Sequence, residues 1–166
     1  MLSKLKPKLY VDSVYHINFE KLKQRGITGV IIDLDNTITE WDNPSLSDQV
    51  FDWFAKMKTA GLKACIVSNN SHNRVAKAVE KLGIPFLAKA NKPRRGAFRK
   101  AMEIMEIKPE QTAVIGDQIF TDILGGNRLN LFTILVVPIT SKEFIGTRLV
   151  RIVERRVLRS LVPQKE

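Results

Sequence analysis

The chain has 166 residues, of which 44% are hydrophobic and 27% are charged, as is usual for a soluble globular protein. No apolar run approaches the roughly 20 residues of a membrane-spanning helix. No long apolar region or small-residue cleavage site follows the N-terminal lysines, so we expect no secretory signal. The formal net charge of +10 predicts partners that carry phosphate or other anions. The single cysteine, Cys65, lies in an apolar run, which favours a buried thiol and a reducing, cytoplasmic setting.

Strand-like and helix-like segments alternate along the middle of the chain. Residues 29–35 form a β-branched apolar run that ends in acids, which is typical of a buried parallel strand. A helix follows it, with Ser45 or Ser47 as its N-cap. The further predicted strands are 62–68, 84–87, 112–117 and 132–137, and the predicted helices are 45–61, 73–82, 94–105, 122–127 and 145–161.

This alternation predicts an α/β fold of three layers, Rossmann-like, with a central parallel sheet and helices on both faces. Ligands in such folds bind beyond the carboxyl ends of the strands. We expect residues 1–166 to form a single domain, with a catalytic core at about 27–140 and a basic amphipathic helix at about 142–162.

Polar side chains follow several of the predicted strands, where a parallel sheet would bring them to one edge. They are Asp33 and Asp35, Ser68 and Asn69, Lys92 before Pro93, and Asp117 with Asp122. Carboxylates that lie close together repel and raise each other's pKa. A divalent cation offsets that cost, and hard oxygen ligands favour Mg²⁺. A lysine and a hydroxyl beside it would suit a bound phosphoryl group.

In order and spacing these residues resemble the four motifs of the haloacid dehalogenase-like phosphatases. The run DLDNT at 33–37 resembles their DxDxT signature, Ser68 their second motif and Lys92 their third, and Gly116-Asp117 with Asp122 resembles their fourth. The DLDNT form, the VSNN turn and the run GDQIFTDILGGN are also similar to the small bacterial YqeG-type branch. That branch is related to mitochondrial phosphatidylglycerophosphate phosphatase.

The resemblance implies a magnesium-dependent phosphatase that acts through an aspartyl-phosphate. Asp33 would be the nucleophile and a metal ligand. Asp35 would protonate the leaving alkoxide and then deprotonate the attacking water, while its backbone carbonyl would bind the metal. Asp117 would be a further metal ligand.

The same resemblance implies the residues that bind phosphate and support the site. Ser68, the backbone of Asn69 and Lys92 would bind the phosphoryl oxygens. Thr37 would order the loop that carries the nucleophile. Asp122 would either bind the metal through water or orient Lys92, although an Asp at a helix start is also a common cap.

The spacing of the motifs bears on the substrate. Asp35 and Ser68 are 33 residues apart, and Ser68 and Lys92 are 24 apart; neither interval has room for a cap domain. An open site suits a phosphate carried by something large, such as a lipid headgroup, a phosphoprotein or a nucleic-acid end. With the family resemblance, this points to a lipid monoester such as phosphatidylglycerophosphate, and a soluble phosphoester or a phosphoprotein is the alternative. A further alternative is a basic nucleic-acid or ribosome-binding module with a vestigial site, although no aromatic cluster typical of specific nucleic-acid binding is present.

The predicted C-terminal helix, 145–161, has an apolar side and a basic side. Its apolar residues include Leu149, Ile152 and Val153, and arginines such as Arg151 and Arg155 lie largely opposite. This pattern is typical of a helix on an anionic membrane surface, which would place the protein peripherally on the inner face of the membrane. It is also the pattern of a helix that packs its apolar side on the domain and leaves its arginines in solvent.

Overall fold

The computed structural model describes residues 2–140 and 145–161. Within them, one sheet contains six strands, all parallel. The strands are β1 (Leu9–Val11), β2 (Gly29–Ile32), β3 (Lys63–Val67), β4 (Phe86–Leu87), β5 (Thr112–Gly116) and β6 (Phe132–Val136). Their spatial order is β1-β6-β5-β2-β3-β4. The chain begins at the edge strand β1, enters the centre of the sheet at β2, runs outward through β3 to β4, and returns to the other side of β2 to form β5 and β6.

Helices connect the strands. They are α1 (Phe19–Gln24), α2 (Asp48–Thr59), α3 (His72–Val79), α4 (Arg95–Met105), α5 (Leu124–Asn127) and α6 (Ile145–Leu161). Of the two predicted caps for α2, the structure selects Ser47, whose side chain accepts a hydrogen bond from the backbone N–H of Val50 at 3.3 Å. A π-helical turn, Ile119–Ile123, precedes α5.

The predicted α/β fold is confirmed, and the main differences lie at the N-terminus and next to α5. Sequence periodicity gave no element before residue 29, yet β1 pairs with β6 at the edge of the sheet. A strand of three residues is too short to show a period, and its pairing depends on the distant β6. Asp122, expected to start a helix, lies inside the π-helical turn.

Alternate strand residues pack on opposite faces of the sheet, as a doubly covered sheet requires. From β2, Val30 and Ile32 join a large apolar cluster that includes side chains of α2 and α3. Ile31 points to the other face, where it packs with Phe98 and other side chains of α4. Helices therefore cover both faces, and the backbone of β2 is held rigidly between them.

The strand register brings the carboxyl ends of the central strands together. Ile32 of β2 is in register with Ile66 of β3 and with Ile115 of β5. The residues that follow these strands consequently emerge at one edge. Between β2 and β3 the chain forms only α2 and its loops, and between β3 and β4 only α3 and a 3₁₀ turn. Neither connection contains a cap domain, as the spacing predicted.

The C-terminal helix α6 packs on the domain, but not by the side that its sequence suggested. Leu158 contacts a small apolar cluster formed by Ile119, Ile123 and Leu135. The apolar residues Leu149, Ile152 and Val153 are instead 68%, 53% and 51% exposed. Of the two alternatives left open for this helix, the one in which these three side chains pack on the domain is therefore wrong. None of the described helices has the length and apolar content needed to cross a membrane.

A glycine in α5 sets how closely that helix approaches α4. A Cβ on Gly125 would lie 2.4 Å from Cε2 of Phe98, a ring that is fully buried. Overpacking of this kind costs about 1–3 kcal/mol. We therefore expect Gly125→Ala to lower the free energy of unfolding by that amount in urea denaturation.

The matched control for this variant is Gly96→Ala in α4, where a Cβ would meet no heavy atom within 4 Å. There the better helix propensity of alanine should leave stability unchanged or raise it by up to about 1 kcal/mol. Equal stabilities for the two variants would contradict the packing described for Gly125.

Candidate active site

The carboxyl ends of the strands surround a cleft of about 400 Å³. Most of the residues singled out in the sequence lie in its wall, and the lining is Asp33, Asp35, Asn36, Trp41, Ser68, Asn69, Asn70, Lys92, Gln118 and Thr121. Trp41 is 41% exposed and stands at the rim. Asp117, Asp122 and Thr37 are buried directly behind this wall. The structure thus brings the predicted site residues together.

Lys92 lies at the centre of the site and is almost completely buried. Its Nζ atom is 2.6 Å from Oδ1 of Asp33 and 2.7 Å from Oδ1 of Asp122. Burial by itself would lower the pKa of this lysine, but the carboxylates of Asp122 and Asp33 outweigh it and raise the pKa above its ordinary value. Lys92 therefore carries a positive charge wherever the protein is folded at ordinary pH.

Three buried carboxylates surround the position next to Lys92. They are Asp33, Asp117 and Asp122. Each contributes one carboxylate oxygen to a group of three oxygens that lie within 4.8 Å of one another. Burial raises the pKa of Asp33, and Asp122 raises it further. Burial raises the pKa of Asp117 well above its ordinary value, and the charge of Asp33 adds to this effect. Such a cluster, made only of hard oxygen donors, has the chemistry that a divalent cation requires.

Two neighbours fix the arrangement of these carboxylates. The hydroxyl of Thr37 lies 3.3 Å from Oδ2 of Asp33 and 3.1 Å from Oδ1 of Asp117, and so links the ends of β2 and β5. A Cβ on Gly116 would lie 2.2 Å from Cγ of Asp122. Any side chain at position 116 would overlap the Asp122 carboxylate, so glycine is needed here for Asp122 to contact Lys92.

Asp35 lies apart from the buried cluster, with its side chain at the mouth of the cleft. Its Oδ1 accepts a hydrogen bond from Arg74 at 2.8 Å, and its Oδ2 accepts one from Asn70 at 3.1 Å. The same arginine nitrogen also contacts the backbone carbonyls of Glu40 and Trp41 at 3.0 and 3.2 Å. Arg74 was not among the predicted site residues, because a lone arginine on a helix gives no signal of a contact with a residue 39 positions earlier.

Asn69 holds Lys92 through its side chain. Its Oδ1 accepts a hydrogen bond from the backbone N–H of Lys92 at 2.7 Å, and its Nδ2 donates to the carbonyl of Lys92 at 3.2 Å. The family resemblance implied only a backbone contact between Asn69 and phosphate, so the contact of its side chain with Lys92 is an addition. Ser68 is buried at the end of β3, and its Oγ accepts a hydrogen bond from the N–H of Asn70 at 3.1 Å.

A residue of α6 also reaches the site. The guanidinium of Arg151 contacts both the carboxylate and the backbone carbonyl of Asp117. Arg151 was expected on a basic side exposed to solvent or lipid, and this expectation is wrong, because only 12% of its side chain is exposed. Helical periodicity shows which residues share a side of a helix. It does not show which side is buried when each side of the helix carries both polar and apolar residues.

Comparison with known proteins agrees with this geometry. The profile of the family described as haloacid dehalogenase-like hydrolase matches residues 8–130. The chain is 50% identical over 155 residues to the protein of Bacillus subtilis (strain 168) named probable phosphatase YqeG, covering 93% of this chain and 90% of that one. It is 28% identical to the chloroplastic phosphatidylglycerophosphate phosphatase 1 of Chlamydomonas reinhardtii, covering 89% of this chain but only 59% of the algal protein.

Solved structures share the fold at low sequence identity. The 3-deoxy-D-manno-octulosonate 8-phosphate phosphatase of Moraxella catarrhalis, solved with magnesium, phosphate and its KDO molecule, superposes with a TM-score of 0.51 at 16% identity, over 86% of this chain and 93% of that one. The cobalt-bound phosphatase YrbI of Haemophilus influenzae gives 0.53 at 18% identity, over 84% and 91%. The family profile, the half-identical Bacillus relative and the shared fold together show that this chain belongs to the haloacid dehalogenase-like hydrolases, as one of their phosphatases.

Proposed function

We propose that this phosphatase transfers the phosphoryl group of a monoester to Asp33 and that its physiological substrate is a lipid phosphate at a membrane surface. The observation that carries the first part is the position of Asp33, which borders both the open cleft and the buried acidic cluster while its Oδ1 contacts the ammonium of Lys92. A carboxylate in this position faces a substrate in the cleft and is held from behind by the ammonium of Lys92.

In this proposal the reaction has two steps. A carboxylate oxygen of Asp33 forms a bond to phosphorus as the bond to the ester oxygen breaks, and Asp35 gives its proton to the departing alkoxide. Asp35 then takes a proton from a water molecule, whose oxygen attacks the phosphorus of the aspartyl-phosphate. Inorganic phosphate leaves, and the Asp33 carboxylate is restored.

The remaining residues of the cleft stabilise charge. Lys92 and Ser68, with the backbone of Asn69, would bind the phosphoryl oxygens, whose charge changes during the transfer. Asp122 and Asn69 keep Lys92 in place from either side. Mg²⁺ bound by the carboxylates of Asp33 and Asp117 and by the backbone carbonyl of Asp35 would neutralise phosphoryl oxygens. The structure of the Moraxella relative with magnesium supports the choice of metal.

Replacement of the nucleophile tests this mechanism. We expect Asp33→Asn to lower kcat by roughly a thousandfold or more with any monoester, because the amide cannot form the phosphoenzyme. The measurement is phosphate release in the presence of Mg²⁺, with circular dichroism to confirm the fold. Asp52→Asn, at an exposed position of α2, is the control and should retain full activity. A folded Asp33→Asn variant with substantial turnover would show that another group attacks phosphorus.

The lipid part of the proposal rests on relatives and on the open site. Two plant and algal relatives, 28% and 29% identical, are named phosphatidylglycerophosphate phosphatases. A second cavity of about 500 Å³ adjoins Asp117 between α6 and the end of β6. Its wall combines apolar side chains such as Leu135 and Ile152 with Arg148 and Arg155. The apolar side chains of this wall suit the glycerol and acyl portions of a lipid, and its arginines suit the anionic headgroup.

The exposed side of α6 supports the same substrate. Leu149, Ile152 and Val153 are more than half exposed, and Arg148 and Arg155 lie exposed on the same helix. An apolar strip beside arginines has the chemistry of a surface that binds an anionic bilayer. Because α6 also contacts Asp117, a bilayer bound here would lie next to the cleft. We propose accordingly that the core and α6 act as one catalytic unit on peripheral contact with the membrane.

A substrate comparison tests the lipid assignment. We expect phosphate release from phosphatidylglycerophosphate in mixed micelles to exceed, in kcat/KM, release from glycerol 3-phosphate and from sugar phosphates. Faster turnover of a soluble ester would be consistent with phosphatase activity but would contradict the proposal that the substrate is a lipid.

Vesicle binding supplies the second half of this test. Burial of one large apolar side chain contributes about 1.5–3 kcal/mol. Leu149 and Ile152 are more than half exposed, so the double variant Leu149→Ser with Ile152→Ser should sediment with anionic vesicles at least about tenfold more weakly than wild type. The control is Ile104→Ser, which replaces an exposed isoleucine of α4 and should bind like wild type. Equal binding of all three proteins would exclude α6 as the membrane contact.

A further inference from the structure

The contact between α6 and the active site is made by buried charged groups. Only 12% of the Arg151 side chain is exposed, and the Asp117 side chain is fully buried. The guanidinium donates hydrogen bonds both to Oδ2 and to the backbone carbonyl of Asp117. A contact at two points of one residue fixes the orientation of that residue, and a buried arginine is too costly to leave unpaired.

Glu154, one turn further along α6, holds this arginine in place. Its Oε2 accepts a hydrogen bond from Nη1 of Arg151 at 3.2 Å, and its Oε1 accepts one from the backbone N–H of Phe120 at 3.0 Å. Glu154 is 2% exposed. Arg151 and Glu154 therefore form a clamp that joins α6 to the segment from Asp117 to Phe120, immediately after β5.

The two carboxylate oxygens of Asp117 have different neighbours. Oδ2 accepts from Arg151, whereas Oδ1 lies 3.1 Å from the Thr37 hydroxyl, which in turn lies 3.3 Å from Asp33. Oδ1 thus lies on the side of the acidic cluster. Arg151 binds the oxygen on the other side and leaves Oδ1 available for a cation between Asp117 and Asp33.

The charges around the site leave room for a divalent cation with the clamp in place. Arg151 forms ion pairs with Glu154 and with Oδ2 of Asp117, whereas Lys92 contacts Asp33 and Asp122. Because Glu154 neutralises Arg151, the clamp orients Asp117 without adding net positive charge against the metal.

We infer that Arg151, held by Glu154, is a positioning residue for the metal ligand Asp117, and that α6 thereby completes the metal site of this phosphatase. The inference rests on the proposed role of Asp117 in binding Mg²⁺. It assigns a function at the active site to a helix that lies outside the residues 8–130 matched by the family profile. Partners of metal ligands typically contribute a factor of about 10–100 to metal affinity.

Calorimetric titration of the full chain with Mg²⁺, without substrate, tests this inference. We expect Arg151→Gln to bind Mg²⁺ about tenfold more weakly than wild type or worse, and Glu154→Gln to weaken binding in the same direction. Arg151→Lys, which keeps the charge but not the two-point contact, should fall between Arg151→Gln and wild type. Arg156→Gln, at an exposed position of the same helix, is the control and should match wild type.

Thermal unfolding without metal separates folding from metal binding, because a role confined to packing would lower Tm and leave Mg²⁺ affinity unchanged. If Arg151→Gln does not fold, Arg151→Lys and Glu154→Gln supply the same comparison. A folded Arg151→Gln variant with wild-type affinity would overturn the inference. Tighter binding would also overturn it, since Arg151 would then compete with the metal for Asp117. Failure of wild type itself to bind Mg²⁺ would refute the proposed metal site, and the inference with it.

Discussion

Three carboxylates buried within a few ångströms of one another at the edge of the sheet are the constraint on which the rest of this structure depends. Burying them together is costly: burial raises the pKa of Asp33 and of Asp117, and the charge of Asp122 raises both further. Lys92 offsets part of this cost, because its ammonium contacts Asp33 and Asp122 at once. A lysine in that position must itself be held, and Asn69 does so by binding its backbone at both the N–H and the carbonyl. Without these partners the cluster would be a source of instability.

The partners of the acidic groups come from several parts of the chain, and this explains how a site without a cap is organised. Arg74 of α3 binds Asp35 together with the loop at Glu40 and Trp41. Arg151 of α6 binds Asp117 from the opposite side. The cleft lies between them. Preorganised charges of this kind need little rearrangement when a phosphoryl group arrives, which is the basis of electrostatic catalysis.

The sequence was most informative where physical chemistry is local. Runs such as 29–35 showed the buried strands, and the polar residues at their ends identified Asp33, Lys92 and Asp117, because parallel strands bring such residues together. It was least informative where a contact joins distant segments: the short strand β1, the Arg74–Asp35 pair and the Arg151–Asp117 contact. Amphipathicity correctly predicted that α6 is a helix, but it did not predict which side of α6 is buried. That side is set by a contact with a distant segment, the hydrogen bond from the backbone N–H of Phe120 to the Glu154 carboxylate.

The central claim, that Asp33 carries the phosphoryl group, is tested most directly by trapping the phosphoenzyme in Asp35→Asn. An aryl phosphate with a good leaving group needs no proton from residue 35 to form the intermediate, but its hydrolysis still lacks the general base. Acid quenching and peptide mass spectrometry should therefore show one added phosphoryl group on Asp33. A phosphoryl group on any other residue, or turnover of this variant at the wild-type rate with none detected, would contradict the account.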